Sequence, residues 1–590
     1  MLRCHIPLIP SLRSLPGRTH APIGRRYLSS PTPPRKAKVL SRRTLVTSGA
    51  LTALAIGGAT IYADASDATD SKPAEPNPAP LSALVRSYVV YSMCSIPALV
   101  DWAPSILSTL MAVPGVSVLT EAFIRATFFE QFVGADTAQG TVPLLEQLRA
   151  ENKGALFAYS VEVNEKEAAG SSSATSTSTL QPAHKRFVQE MIHSIDVAAD
   201  FEDRYAHGRV EGRRTWVAVK LTALLPHAQS LINLSLHLTR TRPAPASPVA
   251  FPGTPQSSDL AILHQPSPTR DTPSILTSDD IAALKDLNDD LVKICTRAQE
   301  RGVKIIIDAE HSWYQPAIDA FGHALMERFN KLPSKHTTPR LLAWFSPSPP
   351  APGSGNVQPL VYVTYQAYLR RTPAHLALSF AAAKAGNYAL GVKLVRGAYH
   401  PHETSAHALA ATSSSLSISP DPHPPVWPTK PETDACYNAC AALLLSAIES
   451  DVPAIKSNPS TTTTHDTPSL GVLFGTHNRD SCDLILDGLV QRRLAVRSST
   501  DGTLRIPEEV AERVAFGQLY GMSDSLTNYI AGKTRSSSPC VIKYVPYGAL
   551  VEVMPYLSRR AIENKSVLGN GGAARERKEA GAEMWRRVFG

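Results

Sequence analysis

The chain predicts an α/β fold, a distorted (β/α)8 TIM-like barrel preceded by a small helical region, and three observations carry that prediction. Eight short apolar stretches, rich in β-branched residues and nearly free of polar alternation, recur between residues 155 and 548. Such runs mark parallel strands buried on both faces. Helix-length amphipathic stretches lie between them, the alternation expected of βα units. Finally, no dinucleotide fingerprint follows any strand: GSG at 353–355 sits in a Pro-rich insert and GNGG at 569–572 follows a helix. An open nucleotide-binding sheet therefore lacks its signature.

In chain order, residues 1–43 are rich in Arg and Ser and contain no acid, with RRYLSS at 25–30 as a processing point, the pattern of a mitochondrial transit peptide. Thr44 to Ala63 is a run of 20 uncharged residues, long enough for a membrane anchor but only weakly apolar. Residues 64–80 read as linker. From Leu81 to Ala150 apolar residues recur at helical spacing, with Pro97, Pro104 and Pro114 as breakers, which predicts the helical N-terminal region.

The barrel then occupies 151–590. Its strands are ALFAYSV (155–161), WVAVKLTAL (216–224), VKIIIDAE (303–310), LVYVTYQAY (360–368), LGVKLVRGAY (390–399), GVLFGTHN (471–478), RVAFGQLYG (513–521) and VIKYVPYG (541–548). Helices are expected at 185–206, 278–302, 317–332 and 373–386. Five Ser/Thr/Pro/Ala-rich inserts, at 171–182, 241–259, 346–356, 411–428 and 457–468, are expected to be long, disordered and solvated, because such composition cannot build a core.

Charge excludes one class of function. The formal net charge is +8, but residues 1–63 hold ten Lys/Arg and no Asp or Glu, which leaves 49 basic against 51 acidic residues in the rest. Nucleic-acid binding thereby loses its electrostatic footprint. The seven cysteines, 4, 94, 295, 436, 440, 482 and 540, form no CxxC pair, so reduced packing thiols and no structural zinc are expected. Asp308, Glu310, His311, His400 and His402 fit no ligand spacing, and no metal is predicted.

A barrel of this type builds its site from the C-terminal strand ends. There the sequence places Lys220, Asp308, Gln366, Tyr368, Lys393, Arg396, Tyr399, Thr476, His477, Asn478, Leu519 and Tyr544. After the last strand Pro546 and Gly548 end the extended run, and Ala549 to Glu563 reads as a helix without a further breaker. Tyr556, Arg559 and Arg560 stand at i, i+3 and i+4 on it, one aromatic ring and two guanidinium forks on a shared face. Such a face suits a carboxylate clamp; the plainer reading is a solvated face paired with Glu552 and Glu563.

The ordered set VKLTAL (219–224), IDAE (307–310), TYQAY (364–368), KLVRGAY (393–399), THN (476–478), QLYGMSD (518–524) and YLSRRAIEN (556–564) resembles the proline dehydrogenase family, discontinuously over roughly 150–590. The resemblance implies FAD held at the strand ends of a distorted barrel. It also implies oxidation of L-proline to Δ1-pyrroline-5-carboxylate by hydride transfer from C5 to flavin N5, with electrons passed to ubiquinone of the respiratory chain. Position by position it makes Arg559, Arg560 and Lys220 the carboxylate site and Tyr399, Leu519, Tyr544 and Tyr556 the walls around the ring. Asp308 becomes the acid beneath the site, catalytic with Lys393 and Arg396, while Ala309, Gln366, Lys393, Val395, Thr476 and His477 fall on FAD-contacting positions. Bacterial members read Arg then Lys where this chain has Lys393 and Arg396, which leaves open which cation faces the flavin.

The physical logic agrees with this carry-over: the cofactor supplies the chemistry and the protein the orientation. A cluster of cations would also favour the neutral amine that hydride loss requires. Location on the matrix side of the inner mitochondrial membrane follows from the leader and the family. Two alternatives stay open: hydroxyproline dehydrogenase, which a bulky Tyr544 should disfavour, and an inactive membrane-associated scaffold.

Overall fold

In the computed structural model, residues 80–160, 182–205, 211–243, 247–264, 275–333, 358–410, 415–452, 468–565 and 572–589 are described. The leader (1–43), the apolar segment (44–63) and nearly all of the 64–80 linker lie outside the described residues, as do the inserts at 171–181, 346–356 and 457–467.

All eight apolar runs become strands of one closed parallel barrel: β1 (Lys153–Tyr159), β2 (Thr215–Val219), β3 (Ile305–Ile307), β4 (Val361–Gln366), β5 (Leu390–Val395), β6 (Leu470–Gly475), β7 (Val514–Leu519) and β8 (Val541–Tyr547). Neighbours in sequence are neighbours in space, and β8 closes on β1 with Lys153 opposite Val541 and Tyr159 opposite Tyr547. β3 is three isoleucines, all buried, which explains the absence of alternation: one side chain fills the barrel while its neighbours meet the surrounding helices. The predicted helices form at Ala183–Tyr205, Ser278–Arg301, Gln315–Phe329 and Thr372–Gly386. Local signals set their ends. Thr277 and Asp280 make a capping box at the start of Ser278–Arg301, and Gly302 closes it in the left-handed region at φ 65°. A minor three-stranded sheet of two-residue strands, Val496–Arg497, Leu504–Arg505 and Thr534–Arg535, lies outside the barrel.

The N-terminal region folds as α1 (Leu81–Cys94), α2 (Pro97–Ala112) and α3 (Val116–Ile124), continued by a π-helical turn Arg125–Phe129. Pro97 and Pro114 separate helices as expected, but Pro104 sits inside α2. Pro555 likewise lies inside the last barrel helix, α4 (Leu550–Lys565), where the sequence reading had found no breaker. A helix survives an internal proline when packing on either side outweighs the lost hydrogen bond. In α4 that packing comes from Leu550, Val553 and Leu557, buried in a second core with Val90, Tyr91, Cys94, Ile124 and Phe132. The N-terminal helices are thus the back wall of α4.

Two of the five inserts depart from the solvated expectation over their described parts. The Phe251 amide donates to Asp421 across them, Arg371 donates to the Gly253 carbonyl, and Arg370 reaches the Pro424 and His423 carbonyls. Phe251 and Val426 are buried. A few apolar anchors and satisfied backbone groups are enough to order a Pro-rich stretch, and composition alone averages them away.

Candidate active site

One cavity of ≈ 510 Å³ opens at the C-terminal end of the barrel, within the roughly 300–1,000 Å³ range usual for small-molecule sites. It is lined by Lys220, Asp308, Ala309, Gln366, Lys393, Val395, Arg396, Tyr399, Thr476, His477, Asn478, Leu519, Tyr544, Tyr556, Arg559 and Arg560; of the strand-end residues singled out from sequence, Tyr368 alone does not line it. Eight Lys or Arg side chains line it against four carboxylates, so its field suits an anionic ligand.

The two basic residues of KLVRGAY divide their work. Lys393 lies within β5 and donates to Asp308 Oδ1 at 2.6 Å, while the Tyr544 hydroxyl donates to Asp308 Oδ2 at 2.9 Å. The Lys393 Nζ also stands 5.1 Å from the centroid of the Tyr544 ring. Burial, reinforced by Asp308, holds the Tyr544 phenol well above its usual range, so it remains a neutral donor. Arg396 instead turns outward from the strand end. Its Nε donates to Asp434 at 2.6 Å, its Nη1 to Thr476 Oγ1 at 2.7 Å and its Nη2 to Ser481 Oγ at 2.8 Å, with the guanidinium 4.3 Å from the Tyr437 ring centroid. Gly397 follows at φ 124°, and a Cβ there would lie 2.5 Å from the Tyr368 ring.

Opposite stands α4. Arg559 lies 5.4 Å from the Tyr399 ring centroid and Arg560 5.0 Å from that of Tyr556. Arg560 is 2 % exposed and its Nη2 pairs with Glu563 at 2.5 Å. Its Nε and Nη1 are buried and find no acceptor among the described residues. The face is therefore buried rather than solvated, although the expected pairing with Glu563 does form, to Arg560 at 2.5 Å and to Arg559 at 3.7 Å. Gln366 presents the complementary orphan, a buried Oε1 without a donor among the described residues, while its Nε2 donates to the Glu310 carbonyl at 3.2 Å. Buried polar atoms left unmatched by the protein are what a ligand-binding site is expected to contain.

His477 closes the third side. Its Nε2 accepts from the Leu519 amide at 3.2 Å, which assigns the proton to Nδ1, and Nδ1 donates to Ser523 Oγ at 2.8 Å. Burial, with Lys543 and Arg560 nearby, depresses its pKa to about 3, so the ring is neutral. The same loop is held from below by Lys543, which donates to the Leu519 and Met522 carbonyls, and from behind by Tyr91 and Gln131, both donating to the Gly521 carbonyl. Gly521, at φ 71°, is required there: a Cβ would meet the Gln131 carbonyl oxygen at 1.7 Å. Two further motifs hold each other, the Thr222 hydroxyl donating to Glu310 at 2.6 Å.

Sequence reasoning missed Arg575 and Glu576, which line the cavity from α5 (Gly572–Phe589). Glu576 accepts the Ser523 amide at 2.9 Å, and burial raises its pKa to about 7. Nothing in the periodicity marks that helix as part of the site, because it follows the last barrel unit. Six of the seven cysteines are described, all free and buried; Cys436 and Cys440 pack in the core. Among the described residues no group of three His, Cys, Asp or Glu is disposed to hold a metal ion.

Comparison with known proteins adds the last observation. The family model described as Proline dehydrogenase matches residues 149–571. The chain is 27% identical to Proline dehydrogenase 1, mitochondrial, of Arabidopsis thaliana over 86% of its own length and 84% of the relative's. It is also 27% identical to Hydroxyproline dehydrogenase of Mus musculus, over 86% and 91%. Among solved structures, proline utilization A (PutA) from Bdellovibrio bacteriovorus, inactivated by N-propargylglycine, superposes with a TM-score of 0.52 at 16% identity, covering 89% of this chain. The chain spans 43% of that longer protein, and the likeness is one of fold. With a matched family model over most of the chain and the barrel that the motifs require, this chain belongs to the proline dehydrogenase family.

Proposed function

We propose that the chain oxidises L-proline to Δ1-pyrroline-5-carboxylate with FAD as cofactor. The observation that carries the reading is Arg560, a buried guanidinium whose Nε and Nη1 have no acceptor among the described residues, on a cavity wall it shares with Arg559. A carboxylate bound there would supply an acceptor to a buried cation whose donors the fold leaves partly unmatched. Lys220 lines the same cavity and adds charge. Tyr399, Tyr544, Tyr556 and Leu519 give the apolar walls a pyrrolidine ring requires. The same cations raise the local potential and favour the neutral amine.

The residues present fit FAD. Gln366 offers an unmatched acceptor, and Ala309, Lys393, Val395, Thr476 and His477 lie beside it on the strand ends. FAD, when bound, supplies the acceptor for the hydride leaving proline C5. The protein's part is orientation. Asp308 fixes Lys393 and the Tyr544 hydroxyl, and so sets the floor of the site. Arg396 is engaged by Asp434, Thr476 and Ser481, whereas Lys393 is held by Asp308 beside the Tyr544 ring, which favours Lys393 as the cation nearest the isoalloxazine ring.

Hydroxyproline dehydrogenases match the chain as well as proline dehydrogenases do. Tyr544 supports proline: it is a bulky ring held by the bond to Asp308, and a ring at this position is expected to crowd a 4-hydroxyl. The leader and the relatives named mitochondrial support location in the mitochondrion; the matrix side, inner-membrane association and ubiquinone as the acceptor belong to the proposal and rest on the family resemblance. The deciding experiment is anaerobic titration of the purified protein while following the flavin band. Bleaching by L-proline and not by trans-4-hydroxy-L-proline is expected. The reverse preference would move the assignment to the sister enzyme, and protein purified without flavin would sink the mechanism.

A further inference from the structure

The segment that follows β7, residues 519–524, gives the cavity Leu519, Met522 and Ser523, and it is held from three directions. From β8 Lys543 donates to the Leu519 and Met522 carbonyls at 3.2 and 2.9 Å and pairs with Asp524 at 2.6 Å. From the N-terminal region Tyr91 and Gln131 donate to the Gly521 carbonyl at 2.6 and 2.9 Å. The third direction is α5, where Glu576 accepts the Ser523 amide at 2.9 Å.

Ser523 is the strained residue of this loop. Its backbone lies at φ 51° and ψ 43°, in the left-handed region, and the residue is buried. A glycine would take that conformation freely, whereas a serine keeps it only where its surroundings hold the chain. The side chain has a use there. Its hydroxyl accepts from His477 Nδ1 at 2.8 Å, while His477 Nε2 accepts from the Leu519 amide at 3.2 Å. Both ring nitrogens are thus bound by the two ends of one loop, which fixes the orientation and the tautomer of the imidazole together. Glu576 occupies a costly position. Burial, with Asp524 and Glu579 close by, raises its pKa to about 7, although Lys543 and Arg575 oppose the shift. A carboxyl kept in place against its electrostatics points to a task.

We propose that Glu576 is a positioning residue for the cofactor site: by clamping the Ser523 amide it keeps the Ser523 hydroxyl against His477, and so holds the imidazole as FAD binding requires. The inference rests on the function proposed above. It also gives α5 a role in the site. That helix packs on α1 and α4, and through Glu576 it carries their support into the cavity.

The test follows FAD release from the full-length protein, read as recovery of free-flavin fluorescence on dilution. Glu576→Ala should weaken FAD binding about tenfold, while Glu576→Gln, whose amide oxygen still accepts the Ser523 N–H, should stay within about threefold of wild type. Ser523→Gly suits the backbone but removes the hydroxyl, and should weaken binding about as much as Glu576→Ala. Adding Glu576→Ala to it should cost less than about twofold more, because both act through one contact. Equal losses in Glu576→Ala and Glu576→Gln, or losses that multiply in the double variant, would overturn the proposal and reduce Glu576 to an anchor of α5. Hydrogen exchange at the 519–524 amides reads the clamp without relying on flavin. It should rise about fivefold or more in Glu576→Ala and stay near wild type in Glu576→Gln, and unchanged exchange in Glu576→Ala would overturn the clamp. Faster exchange with unaltered FAD binding would overturn the positioning role alone. Wild type that holds no FAD would remove that role and the proposed function together.

Discussion

The two ends of the barrel each bury an arginine, and the difference between them separates scaffold from site. At the closed end Arg214 is 1% exposed. Its Nε donates to the Pro539 carbonyl at 2.9 Å and its Nη2 to the Ala511 carbonyl at 2.5 Å and to Ser538 Oγ at 2.9 Å, with Glu512 at 3.7 Å. At the open end Arg560 is equally buried, yet two of its nitrogens find no acceptor among the described residues. A cation whose partners are supplied by the fold stabilises it; one left half-matched keeps its free energy for a ligand. Lys304 extends the contrast at the closed end. It lies over the Trp216 and Tyr362 rings at 5.1 and 5.7 Å, and burial lowers its pKa to about 8.

The largest test of that contrast is stability. Arg214→Leu strands the Pro539 and Ala511 carbonyls and Glu512, and should cost about 3–5 kcal/mol in urea unfolding. Arg560→Met should leave unfolding within about 1 kcal/mol of wild type, because the loss of one partially exposed partner, Glu563, is small. A stability loss at Arg560 as large as that at Arg214 would erase the distinction.

Next in size is the effect on substrate. Arg560→Met or Arg559→Met should raise the proline KM by about thirtyfold or more, equivalent to about 2 kcal/mol, with flavin content little changed. An unaltered KM in either variant would remove the carboxylate clamp. Sharper but smaller is Tyr544→Ser, which deletes the ring bonded to Asp308 at 2.9 Å. It should narrow the preference for proline over trans-4-hydroxy-L-proline by about tenfold, roughly 1.4 kcal/mol. An unchanged ratio of kcat/KM values would show that the ring does not police the 4-position.

A further test concerns a buried carboxyl beside the site. Burial raises the Glu403 pKa from 4.5 to about 7, although the Ser312 amide and hydroxyl both donate to it, at 2.7 and 2.5 Å. The folded chain therefore holds a proton that the unfolded chain releases above about pH 4.5. Its stabilising contribution is complete below that pH and declines as pH rises through 7. Glu403→Gln should flatten the fall in stability between pH 5 and 8. A slope equal to that of wild type would show that Glu403 is already ionised in the fold.

The contrast between the ends also explains what could be read in advance. Parallel strands buried on both faces must be continuous apolar runs, so IIIDAE and GVLFGTHN announce both a strand and the polar residues at its mouth. The i, i+3, i+4 spacing of Tyr556, Arg559 and Arg560 needs only helical geometry to share a face. Three features escaped. Pro555 reads as a breaker, or passes unnoticed, until the packing of Val553 and Leu557 is seen. The order in the 241–259 and 411–428 inserts depends on single contacts such as Phe251 to Asp421, invisible in a Ser- and Pro-rich composition. Glu576 reaches the site on a helix that no strand period announces.

By itself the sequence determined the barrel, the side chains at its mouth and the family they belong to, because periodicity and strand-end position are local properties of the chain. Tertiary structure alone decided that Lys393 is fixed by Asp308 while Arg396 is drawn to Asp434, and that Arg560 is buried with unmatched donors. It alone set the N-terminal helices behind α4, through bonds such as Tyr91 to Gly521 that join residues 430 positions apart. The physical reason is that direction, burial and pairing are set by neighbours distant in sequence, and no local pattern encodes which neighbours those will be.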